Sequence, residues 1–145
     1  MKGTVMVMKF LQRLSILLFL LPVLLAGTVS AEGNALNIIT QVQITCRKEN
    51  TAITRRYVQP HKISAVLNYL RLLKSGGSAN NDPEQLTGSS YEIVLQDAAG
   101  RRSIYRQRAN RFLSKNAKPW ERVSQEQASR LYYLIQAMPS DLPEP

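Results

Sequence analysis

The side chains with the clearest chemical potential are cationic, and they concentrate between residues 101 and 118. The segment SIYRQRANRFLSK, residues 103–115, contains no acidic residue. The cations of this segment and its flanks are Arg101, Arg102, Arg106, Arg108, Arg111, Lys115 and Lys118. A guanidinium group binds carboxylate, phosphate or sulfate through two parallel hydrogen bonds. The segment therefore indicates either a surface for an anionic ligand or the solvated face of an ordinary strand.

Strand geometry divides this segment between two faces. If residues 101–108 form a strand, Arg102, Arg106 and Arg108 share one face, and Tyr105 lies on the other as a candidate core residue. Trp120 is interpreted either as a structural residue under the second predicted helix or as an aromatic anchor for a partner. The predicted anion- or partner-binding set is Arg102, Arg106, Arg108, Arg56, Tyr105 and Trp120.

Patterns that would indicate catalysis or metal binding are missing from the sequence. His61 is the sole histidine, and no second histidine or cysteine completes a metal-ligand set with it. No serine lies in a nucleophile elbow, and the stretch NNDPE has too few spaced ligands for a calcium loop. We therefore predict no enzymatic activity, no cofactor and no metal site, although carboxylates that are distant in sequence could still meet in space.

The N-terminus predicts export. Three cations, Lys2, Lys9 and Arg13, precede the apolar run LSILLFLLPVLLAG, and small residues follow it. This order is typical of a secretory signal peptide, here residues 1–31, with cleavage after Ala31. The run is shorter than the roughly 20 residues of a membrane span, so an uncleaved anchor is the weaker alternative. We expect a periplasmic or secreted protein that touches the membrane only through this segment.

Cys46 is the only cysteine, so the chain cannot form an intramolecular disulfide. Small exported domains often depend on such bonds, and this one must be stabilised by packing instead. Cys46 falls on the apolar side of a predicted strand, which favours a small buried hydrophobic residue. The alternative is an intermolecular disulfide or a reactive thiol.

Hydrophobic periodicity predicts two halves, residues 37–74 and 90–138, joined by a loop at 75–89. Alternating apolar residues predict strands at 37–46, 52–58, 91–97 and 101–108, with RFLSK as a further strand. Residues 47–51 read as a polar turn, and residues 139–145 as a flexible tail. Together, residues 32–138 are predicted to form one domain.

Two helices complete the halves. The first begins at Pro60, which suits a first helical turn, and the second is capped by Ser124 with Gln127 three residues later. Their predicted apolar faces match at an offset of 65 residues; they are Ile63, Val66, Leu67, Leu70 and Leu73, and Ala128, Leu131, Tyr132, Ile135 and Met138. The pattern predicts an α+β fold. An antiparallel sheet of four to five strands would carry both helices on one face, as an open-faced sandwich that we interpret as two strand–strand–helix repeats.

Several short stretches resemble small exported bacterial proteins of no assigned function. They are LNYLRLL, DPEQLTG, YRQRANRFL and PW, and the likeness covers most of residues 55–140. It carries over no catalytic or binding residue. In architecture alone, a doubled strand–helix unit with an open sheet face is similar to exported inhibitor proteins that dock on enzymes.

These patterns favour an exported, non-enzymatic binding protein whose basic sheet face holds an acidic protein partner or an anionic envelope polymer. The full chain has a formal net charge of +9, so nucleic acid could bind by charge, but export separates the protein from it. Two alternatives stay open. One is an enzyme acting on an anionic envelope substrate, which needs a pocket with converging acids. The other is an accessory or inhibitor subunit with an apolar groove near Trp120.

Overall fold

The computed structural model of the 145-residue chain describes residues 38–80 and 82–143. The signal segment predicted at residues 1–31 lies outside the described residues, and its cleavage stays a prediction. Residues 39–143 belong to one structural unit. Within the described part of the chain, no helix is long and apolar enough to cross a membrane.

The described residues form one antiparallel sheet with two helices, which confirms the predicted α+β class. The strands are β1 (Ile39–Lys48), β2 (Thr51–Tyr57), β3 (Ser75–Ser78), β4 (Ser90–Asp97), β5 (Arg102–Arg108), β6 (Phe112–Lys115) and β7 (Glu121–Val123). The helices are α1 (Pro60–Leu72) and α2 (Gln125–Ala137), and a short 3-10 turn spans Pro83–Gln85. The strand order across the sheet is β2-β1-β4-β5-β6-β7-β3.

Within residues 38–80 and 82–143 the sheet has seven strands, whereas the sequence predicted four or five. Strand β3 falls in the segment predicted as a loop at 75–89 and pairs with β7 at one edge of the sheet. Both strands are short, and β3 consists of exposed serine and glycine residues. An edge strand such as β3 buries no side chains, so its residues need not alternate between apolar and polar. Hydrophobic periodicity therefore could not predict it.

Both helices pack on one face of the sheet, and the core lies between them and the central strands. On β4 the burial alternates residue by residue, with Tyr91, Ile93 and Leu95 facing the core. The register places Ile44 of β1 beside Ile93, so the two strands present their apolar residues to the same side. The core is completed by Val42, Tyr57, Ile63, Val66, Tyr69, Leu131 and Ile135.

The helix faces differ from prediction at two aromatic residues. Tyr69 was not assigned to the core but is buried; its hydroxyl donates a hydrogen bond to Gln107 Oε1 and lies 3.2 Å from the Ala128 carbonyl oxygen. Burial raises the pKa of Tyr69. Tyr132 was assigned to the core but is 51% exposed, because Leu131 and Ile135 define the buried line of α2.

The two halves occupy the sheet in a related way. β1 and β4, the first strands of the two halves, lie side by side, and β2 and β5 flank them. Two strand–strand–helix units related by an approximate two-fold axis would produce this order. Strands β6 and β7 have no counterpart in the first half, so the repeat stays an interpretation.

The described part of the tail is anchored, which corrects the prediction of a flexible segment for residues 139–143. The Arg56 backbone N–H donates to Ser140 Oγ at 2.9 Å, and the Arg56 carbonyl accepts from the Asp141 N–H at 2.8 Å. The Asp141 carboxylate also accepts hydrogen bonds from the backbone of Val58 and Gln59 and forms an ion pair with Lys62. The tail therefore lies along the outer edge of β2.

Candidate functional site

Four of the six predicted site residues, three on β5 and Arg56 on β2, lie on the sheet face opposite the helices, which we call the outer face. Strand alternation puts Arg102, Arg106 and Arg108 of β5 on this face, because their neighbours Tyr105 and Gln107 point to the core side. Pairing then continues the face across the sheet. Arg108 lies opposite Ser90 of β4, and Ser90 in turn lies opposite Arg47 of β1.

A cavity of about 170 Å³ opens on the outer face. Its lining residues are Arg47, Glu84, Ser90, Tyr91, Glu92, Arg106, Gln107, Arg108 and Trp120. We call it the basic cavity. A wider depression of about 510 Å³ adjoins it and shares Arg47, Glu84, Ser90 and Arg108. The structure therefore brings Arg106, Arg108 and Trp120 together, and adds an arginine from β1.

Arg108 is held in place from the loop before β4. Its Nη2 donates to the Glu84 carbonyl oxygen at 2.9 Å. Its Nε is buried and has no hydrogen-bond acceptor within the described residues. Because an unpaired buried donor carries a desolvation penalty, an acceptor supplied by a ligand would be favourable at this atom.

Arg106 forms a looser contact on the same face. Its Nε lies 3.4 Å from Glu92 Oε2, and 52% of the arginine side chain is exposed. An exposed ion pair of this kind contributes only about 0–1 kcal/mol. A ligand carboxylate can therefore compete with Glu92 for the guanidinium.

Trp120 has a fixed backbone position at the rim of the basic cavity. Its carbonyl oxygen accepts a hydrogen bond of 3.0 Å from the Ala79 N–H, which extends the pairing of β3 with β7. The side chain is half-buried. It presents an aromatic surface beside the arginines of β1 and β5.

Arg102 and Arg56 lie on the outer face but away from the basic cavity. Arg102 precedes Arg106 by four residues, roughly 13 Å along an extended strand. Arg56 belongs to β2, and β1 and β4 separate β2 from β5, which is a distance of roughly 14 Å at normal strand spacing. Neither residue lines the basic cavity.

Tyr105 does not belong with the arginines, which corrects its place in the predicted binding set. It lies beside Ile93 of β4 and Lys115 of β6 and packs against the core. The Lys115 Nζ is 5.3 Å from the centroid of its ring, in a cation–π contact. The same alternation that grouped the arginines placed Tyr105 on the opposite face.

The sequence patterns did not predict two of the residues that line the basic cavity. Arg47 was assigned to a polar turn at 47–51, whereas β1 continues to Lys48. Extending the alternation of Gln43 and Thr45 by two residues would have placed Arg47 on the outer face. Glu84 lies in the short turn before β4, and its approach to Arg108 depends on tertiary structure alone.

Cys46 lines a separate cavity of about 240 Å³ with Ile53 and Tyr132, on the helix side of the sheet. The residue is half-buried. Burial raises the pKa of the thiol, so little reactive thiolate forms near neutral pH.

No group of His, Cys, Asp and Glu within the described residues could hold a metal ion.

Alkylation of Cys46 should therefore be slow in the folded protein. We expect iodoacetamide at pH 8 to modify the native thiol more slowly than the thiol unfolded in urea, since burial disfavours the reactive thiolate in the folded protein. Mass spectrometry of timed samples measures both rates. Equal rates would instead support the reactive-thiol alternative.

Three exposed apolar residues lie on the helix side, opposite the basic cavity. Ile53 is 43% exposed, Tyr132 51% and Tyr133 69%. The two tyrosine rings contact each other edge to face, with centroids 5.5 Å apart. The predicted apolar groove was placed near Trp120, but these exposed residues belong to β2 and α2.

The geometry described above is the basis for any assignment of function. Comparisons with protein-family models, with curated proteins and with solved structures gave no significant match.

Proposed function

We propose that this protein is an exported, non-enzymatic binding protein that holds an anionic group of an envelope polymer or acidic partner in the basic cavity. The observation that carries the proposal is the convergence of Arg47, Arg106 and Arg108 on one cavity of the outer face. These residues come from β1 and β5, which β4 separates. The sheet holds their backbones at fixed spacing, so the ordering cost when an anion binds is confined to the side chains.

The two Glu side chains of the cavity suit binding better than catalysis. Glu92 is paired with Arg106, and Glu84 lies in the loop that holds Arg108 through its carbonyl group. Tyr91 is among the lining residues, but it belongs to the core-facing set of β4 and burial raises its pKa to about 12. Strand alternation points its phenol to the helix side, away from a ligand on the outer face.

A second candidate function, an accessory or inhibitor subunit, is favoured by Ile53, Tyr132 and Tyr133. Exposed aromatic residues are common anchors at protein interfaces. This surface and the basic cavity belong to opposite sides of the sheet, so variants at one leave the other intact.

Removing the three cavity arginines should abolish selective retention on an anionic matrix. We expect the variant Arg47→Ser, Arg106→Ser, Arg108→Ser to bind immobilised dextran sulfate at least about tenfold more weakly, because charge-assisted hydrogen bonds contribute roughly 1.5–3 kcal/mol each. Elution against a salt gradient, with affinity from surface plasmon resonance at constant salt, measures the change.

The matched control removes three cations from the helix side, Arg71→Ser, Lys74→Ser and Arg130→Ser. All three side chains are exposed, and the change in net charge is identical. We expect this variant to retain most of its affinity. If the two triple variants elute together, the arginines of the basic cavity act only through net charge and the proposed function fails.

A further inference from the structure

We propose that the basic cavity binds an acidic sugar, a pyranose ring that carries one carboxylate, within an anionic glycan. The inference rests on the proposed function and specifies its ligand. Three features of the cavity support it, namely its charge balance, its aromatic wall and its size.

The charge balance favours a ligand with one negative charge per unit. The cavity is lined by three arginines and two glutamates, so it carries one net positive charge when all five are ionised. A polyphosphate or a nucleic acid strand brings more negative charge and would meet Glu84 and Glu92 at close range. A single carboxylate matches the excess charge and leaves the glutamates available.

The glutamates then have a role that an all-phosphate ligand would not give them. Ionised carboxylates only accept hydrogen bonds, and sugar hydroxyl groups are donors. Glu84 and Glu92 can receive such bonds while an arginine holds the sugar carboxylate in a bidentate pair. Ser90 lies between Arg47 and Arg108 in the register and supplies a hydroxyl that can both donate and accept.

Trp120 supplies the apolar contact that a sugar ring needs. One face of a pyranose exposes mainly C–H groups, which are favourably buried against an aromatic surface. Trp120 is half-buried at the cavity rim, so part of the indole stays available to a ligand. A small inorganic anion gains nothing from this contact.

The size of the cavity fits one unit of a longer polymer. Its volume of about 170 Å³ is below the roughly 300–1,000 Å³ of sites that enclose a drug-sized molecule. The adjoining depression of about 510 Å³ shares four lining residues with it. A glycan chain can therefore place one sugar in the basic cavity and continue over the loop that precedes β4.

The single tryptophan gives a direct measurement, because Trp120 is the only one in the chain. The protein is titrated with trigalacturonate, with a hyaluronan tetrasaccharide, with neutral maltotriose and with inorganic tripolyphosphate, and indole emission is followed. We expect at least one acidic saccharide to shift the emission and to bind at least about tenfold more tightly than maltotriose and than tripolyphosphate at physiological salt.

Two variants separate stacking from charge. Trp120→Leu, measured by calorimetry, should weaken binding of the acidic saccharide about tenfold and should weaken binding of tripolyphosphate, which has no ring to stack, much less. Arg47→Gln keeps the tryptophan signal and an exposed surface position, and it should also weaken saccharide binding about tenfold. The second variant keeps the test decisive if the first one does not fold.

The outcomes distinguish this inference from the proposed function. If neither acidic saccharide shifts the emission, or if tripolyphosphate binds more tightly than both, the acidic-sugar assignment is wrong. The proposed function still stands in that case if dextran sulfate retention is lost only in the variant without the cavity arginines. If retention is equal in both triple variants, the proposed function and this inference fall together.

Discussion

Ile93→Ala should lower the free energy of unfolding by about 2–5 kcal/mol, the usual cost of removing a large aliphatic side chain from a core. Ile93 is fully buried in β4, with Ile44 of β1 and Tyr105 of β5 directly beside it. It lies under the layer that the two helices form. Alanine there would leave a cavity that a close-packed sheet and two helices cannot easily fill.

Urea denaturation followed by circular dichroism measures this loss, and an unchanged slope with denaturant would show that the transition stays two-state. Val94→Ala is the matched control, one residue further along the same strand. Val94 faces the opposite side of the sheet and is half-buried, so we expect a loss of about 1 kcal/mol or less. Equal losses at the two positions would contradict a core confined to the helix side.

Asp141→Asn should destabilise the protein at neutral pH and remove part of its sensitivity to acid. The Asp141 side chain is only 4% exposed and is paired with Lys62, which also donates to the Pro139 carbonyl at 2.7 Å. Lys62, together with the backbone N–H groups of Gln59 and Val58, lowers the pKa of Asp141 to about 2. These contacts join the tail to the start of α1, whose N-cap residue Gln59 makes no side-chain capping bond.

The sign of the pH dependence follows from this lowered pKa. The unfolded chain binds a proton at the ordinary aspartate pKa of about 4, whereas the folded protein resists protonation until about pH 2. The contribution of Asp141 is therefore fully present above pH 4 and is lost as the pH falls from about 4 to about 2. We expect the asparagine variant to melt several degrees lower at pH 7 and to approach the wild type near pH 2.

Thermal melts between pH 2 and pH 7 test this prediction. Glu126→Gln is the control, because the ion pair between Glu126 and Arg130 is exposed on both sides. Its loss should change stability by no more than about 0.5 kcal/mol. If Asp141→Asn melted with the wild type at every pH, the anchoring of the tail would contribute nothing to the fold.

Much of the secondary structure was predictable because it depends on local patterns. The buried side of each element is visible in its sequence. It appears as alternation in β4 and β5 and as a 3.6-residue periodicity in α1 and α2. The Ser124 cap was visible for the same reason, and Ser124 Oγ accepts a hydrogen bond from the Gln127 N–H. The short strands β3 and β7, which lie at one end of the sheet, bury few side chains and show no such periodicity.

The candidate site was only partly predictable, because strand order and register are tertiary properties. The alternation of side chains along β5 correctly placed Arg106 and Arg108 on one face and Tyr105 on the other. It could not show that β1 and β4 lie between β2 and β5, which separates Arg56 from the other arginines. It also could not show that Arg47 faces Ser90, because that pairing joins residues distant in the chain.

Local sequence patterns were enough to predict the class of fold, the two helices, the main strands and the side of β5 on which its arginines lie. Each of these follows from periodic burial, which is visible in the order of apolar and polar residues along the chain. The convergence of the arginines, the position of Trp120 and the contact between Asp141 and Lys62 become apparent only in the three-dimensional fold. Those contacts depend on long-range pairing and packing, in which the energy of the whole fold selects the partners that local patterns leave open.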